Sequence, residues 1–191
     1  METQSLMQLA LGAEWEQLPP ALKAHYQVAT NTDLGELDIE YPDLMQPGLN
    51  VLRLLGVLIN RRGKSIVTTV EKYMDGNIQR WKRTIGFSDG TAIQFNSHWV
   101  HAGGNELIEF VSPVLGLKMA VNVYENKLHY EGRYYVVKLG SLLLPVPEWL
   151  LLGHTTIVET AVDADSFTMD FRLVHPVFGQ LYRYAGRFTT E

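Results

Sequence analysis

Residues 64–85 read KSIVTTVEKYMDGNIQRWKRTI, two runs of strand-forming residues around the turn signal Asp75-Gly76-Asn77. β-Branched and aromatic side chains favour strands, and a short Asp-Gly turn between two such runs favours an antiparallel hairpin. Runs of the same kind, separated by short turns, continue to the end of the chain. The nine predicted strands are residues 64–73, 77–85, 92–100, 106–111, 118–124, 128–138, 155–161, 167–173 and 181–189.

Short loops between successive strands produce an antiparallel meander, and a long meander has to curl or close to protect its edges. We therefore predict a mainly β (α+β) fold, a meander of about nine strands that forms a strongly curved sheet or a barrel. A curved sheet encloses a space, so the interior of the sheet is where a small molecule is expected to bind.

The first 63 residues differ from the rest because helical patterns dominate there. We predict helices at residues 1–11, 21–26 and 49–60, and one short strand at residues 37–41. Two or three of these helices are expected to pack at one end of the sheet. The chain is predicted to be a single domain, residues 1–191, with a helical N-terminal part (1–63) and an antiparallel sheet (64–191).

The helix predicted at residues 49–60 carries one apolar stripe with the period of an α-helix. The stripe consists of Val51, Leu54, Leu55, Leu58 and Ile59. Such a stripe normally packs against a core, so this helix is expected to cover one end of the sheet. The alternative is a lid over a ligand site.

Residues 142–152 read LLLPVPEWLLL and interrupt the series of strands. Two prolines exclude a central strand, because proline cannot donate a hydrogen bond to a neighbour. We predict a loop with a turn of helix at residues 148–151. So many large apolar side chains in a connection are expected to be buried or to lie against an apolar partner.

Composition excludes several classes of protein. The chain has 46% hydrophobic residues, enough for a packed core, and a net charge of −5, which does not favour nucleic acid. It has no cysteine, so disulfides and thiolate chemistry are excluded. No apolar run approaches the roughly 20 residues of a membrane span, and the first residues lack the positive charge of a signal peptide. We therefore expect a cytoplasmic protein without a transmembrane segment.

Charged residues that alternate with apolar neighbours in a strand are the candidate site residues. Arg83, Glu109, Glu159 and Arg183 fit this pattern, and a charge that faces a sheet interior needs a partner. We hypothesise that the four point into the curved sheet and pair there, as polar anchors of an apolar pocket. With two aromatic residues, the predicted ligand-binding set is Trp81, Arg83, Glu109, Glu159, Arg183 and Tyr184.

Two alternatives remain open for these charges. They could fix the register of the strands without binding anything, or they could lie on the outer face of the sheet. A further hypothesis makes Glu109 and Glu159 an acid/base pair for hydrolysis. Histidine spacing predicts no metal site, and the absence of a Gly-rich fingerprint after a strand predicts no dinucleotide cofactor.

Several short words of the sequence also match a known family. They are Trp81-Lys82-Arg83, Phe95-Asn96-Ser97, Glu109-Phe110, residues 144–150 followed by Glu159, residues 179–186, and the opening residues 18–26. Together these resemble the bacterial domain-of-unknown-function family 4166. The resemblance implies that the domain often follows an NADP-binding saccharopine-dehydrogenase-like domain, and it implies no known reaction.

Three functions are compatible with these observations. The leading hypothesis is a module that binds a small apolar or amphipathic ligand inside the curved sheet, and it is not primarily an enzyme. The first alternative is a protein-interaction accessory domain of a separate NADP-dependent oxidoreductase, in which an exposed sheet edge would also favour a homodimer. The second is a Glu/Arg-based enzyme on a lipid-like substrate. An enclosed apolar pocket would favour the binding module. A filled interior with an apolar surface patch would favour the interaction domain. A carboxylate of raised pKa that faces the pocket would favour the enzyme.

Overall fold

Antiparallel strands make up 58% of the described residues in the computed structural model, which describes residues 4–27 and 30–190. The strands are β1 Thr30–Glu40, β2 Gly63–Asp75, β3 Ile78–Gly86, β4 Ala92–Gly103, β5 Glu106–Phe110, β6 Leu115–Tyr124, β7 Lys127–Leu139, β8 Leu142–Val146, β9 His154–Ala161, β10 Ser166–His175 and β11 Gly179–Thr190. The helices are α1 Leu6–Leu11, α2 Pro20–Gln27 and α3 Gln46–Leu54. None of the described helices is long and apolar enough to cross a membrane.

Ten of these strands close into a barrel. In the ring, strands β1 to β7 pair in chain order. Strand β7 then pairs with β9 rather than closing through β8, and β11 returns to pair with β1. The predicted barrel is therefore confirmed, and all nine predicted segments are strands whose ends differ by at most three residues. Closure leaves no open edge in the ten-stranded ring, which is how a barrel avoids the edge problem of an open sheet.

The first strand is longer than the sequence predicts. We expected a short strand at residues 37–41, and β1 spans Thr30–Glu40. Its inward positions include the polar residue Asp33 and Gly35, which break the apolar alternation that indicates a strand. A side chain at position 35 would collide with the backbone of β11, because an ideal Cβ there lies 2.1 Å from the Arg187 carbonyl oxygen.

Helices and loops cover the two ends of the barrel. Helix α1 packs against β4 and β6, and α2 packs against β9, β10 and β11. Since α2 precedes β1 and α3 follows it, α3 lies at the opposite end; we call these the α1–α2 end and the α3 end. At the α3 end, Val57, Leu58 and Ile59 are buried, and the Tyr182 hydroxyl donates to the Ile59 carbonyl at 3.0 Å. The helix predicted at residues 1–11 is seen as α1, and residues 1–3 lie outside the described part.

The apolar stripe predicted for residues 49–60 is wrong. Helix α3 ends at Leu54, and Gly56, with φ of +75°, lies in the left-handed region that ends helices. Leu58 and Ile59 are therefore buried from an irregular segment after the helix, whereas Leu54 is 87% exposed. Val51 and Leu55 are exposed as well.

The loop predicted at residues 142–152 is wrong in part. The chain forms the short strand β8, which pairs with β7 along one edge and so tolerates Pro145, and then a 3-10 helix, Glu148–Leu150, where a turn of helix was predicted. Most of its large apolar side chains are exposed rather than buried. They are Leu142, Leu143, Leu144, Trp149, Leu150 and Leu151.

The buried carboxylate of Glu148 fixes this connection to β9 and packs against β7. Glu148 accepts a hydrogen bond from the Thr155 backbone N–H at 3.0 Å, and its second oxygen lies 2.6 Å from His154 Nδ1. The carboxylate lies directly against Gly132, where a Cβ would be 1.9 Å from Glu148 Oε1. Glycine at position 132 is thus a requirement of close approach.

We expect Gly132→Ala to reduce the free energy of unfolding by about 1–3 kcal/mol, because the new methyl group displaces the Glu148 carboxylate from its hydrogen bonds. Urea unfolding monitored by circular dichroism measures the change. Gly48→Ala is the matched control, since no atom lies within 4 Å of a Cβ at that helical position. The control is expected to be neutral or slightly stabilising. Equal effects of the two substitutions would contradict the role of Gly132.

Candidate functional site

The centre of the barrel contains a cavity. About 50 Å³ of it is open to the centre of a water-sized sphere, within about 580 Å³ of space between the lining atoms that includes the part open to solvent. The walls come from α2 and from nearly every strand of the ring, and most of the lining is apolar. The lining residues are His25, Tyr26, Asp33, Leu37, Thr68, Val70, Trp81, Arg83, Trp99, Glu109, Tyr130, Ile157, Glu159, Phe167, Met169, Tyr184 and Phe188. We call it the central cavity.

Five of the six residues in the predicted set lie in this lining: Trp81, Arg83, Glu109, Glu159 and Tyr184. The period-two alternation of strands thus brings residues from four separate strands to one space. The hypothesis of an internal site requires these five side chains to point into the barrel, and they do so.

The sixth predicted residue, Arg183, points outward, so its predicted inward orientation is wrong. Its guanidinium donates to both oxygens of Asp170, at 2.9 and 3.1 Å, and lies 3.5 Å from Glu40. The apolar neighbour that suggested an inward face was Leu181. It is buried, but against a groove on the outer surface rather than in the barrel.

Arg83 and Glu109 form a compensated pair on one wall of the cavity. Arg83 donates to the Ser97 hydroxyl at 2.8 Å and to Glu109 at 3.1 Å, and Ser97 donates to the same Glu109 oxygen at 2.6 Å. The guanidinium also lies 5.0 Å from the centre of the Trp81 ring, within the range of a cation–π contact. Charge on this wall is therefore balanced, and the arginine is held by three neighbours.

Glu159 is the buried carboxyl of the cavity. The Tyr26 hydroxyl lies 2.9 and 2.8 Å from its two oxygens, and the Tyr130 hydroxyl contacts Tyr26 and lies 3.5 Å from Glu159. Burial raises the pKa of Glu159 to about 7, although the hydrogen bond from Tyr26 and the charge of Lys72 act in the opposite direction. At neutral pH this group can therefore both bind and release a proton.

A second buried cluster lies toward the α1–α2 end and joins Asp33, His25 and Lys72. Asp33 lies 2.9 Å from His25 Nδ1 and 3.2 Å from the Lys72 ammonium. Burial alone would raise the pKa of Asp33, but His25 and Lys72 outweigh it and lower that pKa to about 2. Burial lowers the pKa of His25 to about 4 and that of Lys72 to about 8. At neutral pH the cluster holds one carboxylate and one ammonium, which balance.

Two hydrogen-bond donors in the cavity lining lack an acceptor. The indole N–H groups of Trp81 and Trp99 have no partner among the described residues, although the residues are only 5% and 3% exposed. Their ring centres are 4.6 Å apart. A buried N–H without an acceptor is unfavourable by about 1–3 kcal/mol, so a bound molecule or ordered water is expected to supply one.

A family model described as "Domain of unknown function (DUF4166)" matches residues 18–188 of the 191. This chain belongs to the DUF4166 family. No curated protein matches it. The matched region runs from just before α2 into β11, so it contains the complete central cavity of this DUF4166 domain.

Several residues of the cavity and of the buried cluster beside it were not predicted in this DUF4166 domain. Lys72 lies directly opposite Trp81 in the β2–β3 pairing and alternates with Val70, so the rule that found Arg83 applies to it as well. Trp99 has the same signal in β4. Tyr26 carries no such sequence signal, because it lies on a helix and its partner Glu159 is 133 residues further along the chain.

Loss of the Lys72 charge is expected to destabilise the protein strongly. Lys72→Met leaves Asp33 as a buried carboxylate without its ammonium, which reduces the free energy of unfolding by about 3–5 kcal/mol. Lys82→Met is the matched control on the neighbouring strand, because Lys82 forms an exposed pair with Glu71 at 2.7 Å and such pairs contribute about 0–1 kcal/mol. Urea unfolding at neutral pH measures both. Similar small changes in the two variants would show that Lys72 is not needed to neutralise Asp33.

Glu159 and His25 have opposite effects on how stability depends on pH. The folded pKa of Glu159 is raised from 4.5 to about 7, so its contribution is fully present below pH 4.5 and is lost as pH rises through about 7. The folded pKa of His25 is lowered from 6.5 to about 4, so its contribution is present above pH 6.5 and is lost as pH falls through about 4. Between these limits the two trends oppose each other in the native protein.

Glu159→Gln removes one of the two trends. We expect the free energy of unfolding of this variant, relative to the native protein, to rise by about 3 kcal/mol between pH 4.5 and pH 7.5. Urea unfolding at four pH values across this range tests it, with Glu71→Gln as the exposed control. A difference between variant and native protein that does not change with pH would show that the pKa of Glu159 is not raised.

Proposed function

We propose that this DUF4166 domain binds a small apolar or amphipathic molecule in the central cavity of its barrel. The observation that carries the proposal is the pair of indole N–H donors of Trp81 and Trp99, which are buried and lack an acceptor among the described residues, on two rings that line the cavity with their centres 4.6 Å apart. A bound molecule with an acceptor oxygen would satisfy both donors.

The composition of the cavity wall supports the same proposal. Small-molecule sites are usually apolar with a few convergent polar groups. Here the apolar wall comes from residues such as Val70, Ile157 and Phe188, and the polar groups are concentrated around Glu159 and Arg83. Charges that only fixed the register of strands would need no space around them, whereas these groups border a cavity.

Binding is tested by mass spectrometry of the freshly purified protein. We expect native spectra to contain a species heavier than the chain alone, and the extra mass to disappear when the protein is denatured. Val70→Phe places a ring in the cavity and should abolish this species. Val67→Phe on the same strand is the matched control, since Val67 is 63% exposed and faces outward. Retention of the extra mass in folded Val70→Phe, or its absence from the native protein in both spectra and lipid extracts, would contradict the proposal.

A second candidate function is acid/base catalysis on the bound molecule. One observation favours it: the carboxyl of Glu159 is buried and its pKa is raised to about 7. The hydroxyls of Tyr26 and Tyr130 form hydrogen bonds with this carboxyl. A group with a pKa near the working pH is suited to proton transfer. In this case Glu159→Gln would still bind the recovered molecule, and only the native protein would convert it.

The apolar surface of the α3 end favours the remaining alternative, an accessory domain of a separate NADP-dependent oxidoreductase. Exposed leucines and Trp149 could contact such a partner or a second copy of this chain. Among the described strands, a homodimer through a sheet edge would use β8, because the ten others are paired on both sides. A bacterial, cytoplasmic setting is part of the proposal.

A further inference from the structure

We infer that the ligand is an uncharged single-chain amphiphile that enters from a surface groove at the α3 end and extends to the two tryptophans of the central cavity. The inference rests on the proposed function and adds two statements to it, the route of entry and the chemical class of the ligand. Each is carried by a separate observation.

The route follows from residues that neighbouring cavities share. Next to the central cavity lies a second one, with about 480 Å³ of space between atoms including the part open to solvent and about 50 Å³ open to the centre of a water-sized sphere, and Glu109 and Tyr184 line both. The second cavity is mostly apolar and continues toward the α3 end, where its wall includes Leu152. Leu152 also lines a groove on the outer surface, of about 740 Å³ including the part open to solvent. Leu152 is thus the side chain between the groove and the interior.

The barrel wall at Leu152 is not closed by strand pairing. Strand β7 pairs with β9 only as far as Glu131, and beyond Tyr135 it pairs with β8 instead. No pairing joins β8 to β10 within the described strands. Residues 147–153 fill this gap, attached to β10 through the Trp149 carbonyl, which lies 2.9 Å from His175 Nε2. Glu148 holds the start of this segment to β9, but residues 149–152 take part in no strand pairing, so they can move without breaking the ring of strands and offer a ligand a way to pass.

The mouth of the groove is apolar and exposed. Leu44 is 83% exposed, Phe178 66% and Leu151 43%, and all three line the groove. Exposed apolar side chains at the end of an internal channel provide a favourable surface for a hydrocarbon chain. A chain that occupied the second cavity and the groove would cover Leu152 and the rim around it.

The class of head group follows from the balance of charge in the central cavity. Arg83 is paired with Glu109 and Lys72 with Asp33, so neither cation is available to neutralise an anionic head. Asp33 Oδ2 has no hydrogen bond but lies 3.2 Å from the Lys72 ammonium, whereas the buried indole N–H donors of Trp81 and Trp99 have no partner among the described residues and need an acceptor rather than a charge. A ketone, ester or alcohol oxygen fits these donors, whereas a carboxylate would be buried without a counter-ion.

The length of the route is tested with methyl ketones of about six to twelve carbons, titrated into the native protein by calorimetry. Each added methylene is expected to raise affinity about threefold to fourfold until the chain reaches solvent. Leu152→Trp should abolish this gain for the long ketones and leave the short ones unchanged. Leu150→Trp is the control, because Leu150 is 56% exposed and does not line the groove. Leu152→Ala, which widens the passage, should speed the association of the long ketones.

The head group is tested with the ketone of best affinity and the carboxylate of equal length. The carboxylate should bind at least about tenfold more weakly, since its burial is uncompensated. Trp81→Phe and Trp99→Phe keep a ring and remove a donor, and each should weaken the ketone about threefold to tenfold. Tyr135→Phe tests the other placement, because the Tyr135 hydroxyl lines the second cavity and lacks a well-aligned partner. An effect of Tyr135→Phe alone, or tighter binding of the carboxylate, would overturn the assignment of the head group.

Failure of the route and failure of the proposed function have different signatures. If short ketones bind the native protein and Val67→Phe but not Val70→Phe, the cavity binds ligands. In that case, equal chain-length profiles for Leu152→Trp and Leu150→Trp would overturn the route and leave the proposed function intact. If no ketone of any length binds and no molecule co-purifies, both are overturned.

Discussion

Closure of the sheet between β1 and β11 is the constraint on which the interior depends. The two strands approach so closely that a Cβ at Gly35 or at Gly186 would lie 2.1 Å from a carbonyl oxygen of the partner strand. These glycines allow the last strand to pair along the first, from Asp33 to Glu40. Without this pairing the meander would be an open sheet with two edges, and its buried charges would face water.

A closed interior then determines how charge can be placed in it. Each cation in the barrel has its own carboxylate, Lys72 with Asp33 and Arg83 with Glu109, because an unpaired charge in such a place is strongly unfavourable. Glu159 is the remaining carboxyl, and it avoids an uncompensated charge through a raised pKa and hydrogen bonds from two tyrosines. Balanced pairs leave the tryptophan N–H groups as buried donors without a partner among the described residues.

The sequence predicts the strands better than it predicts which side of the sheet a residue occupies. Nine strands followed from β-branched residues and turns, but Arg183 was placed inside because its neighbour Leu181 is apolar, and Leu181 is buried on the outer surface instead. Asp33 and Gly35 concealed most of β1, since interior polar and glycine residues remove the alternation that indicates a strand. Tyr26 could not be found, because only the closed fold brings α2 to Glu159.

The prolines at 145 and 147 connect the sequence to the opening that the fold leaves in its wall. Pro145 lies in β8, which pairs with β7 on one side, and proline has no N–H to donate to a strand on the other. Pro147 ends the strand before a 3-10 helix begins at Glu148, so β8 is not extended along β10. The same residues therefore account for the gap in strand pairing and for the apolar segment that fills it. A barrel built from uninterrupted strands would be paired on both sides at this position and would have no such gap in its wall.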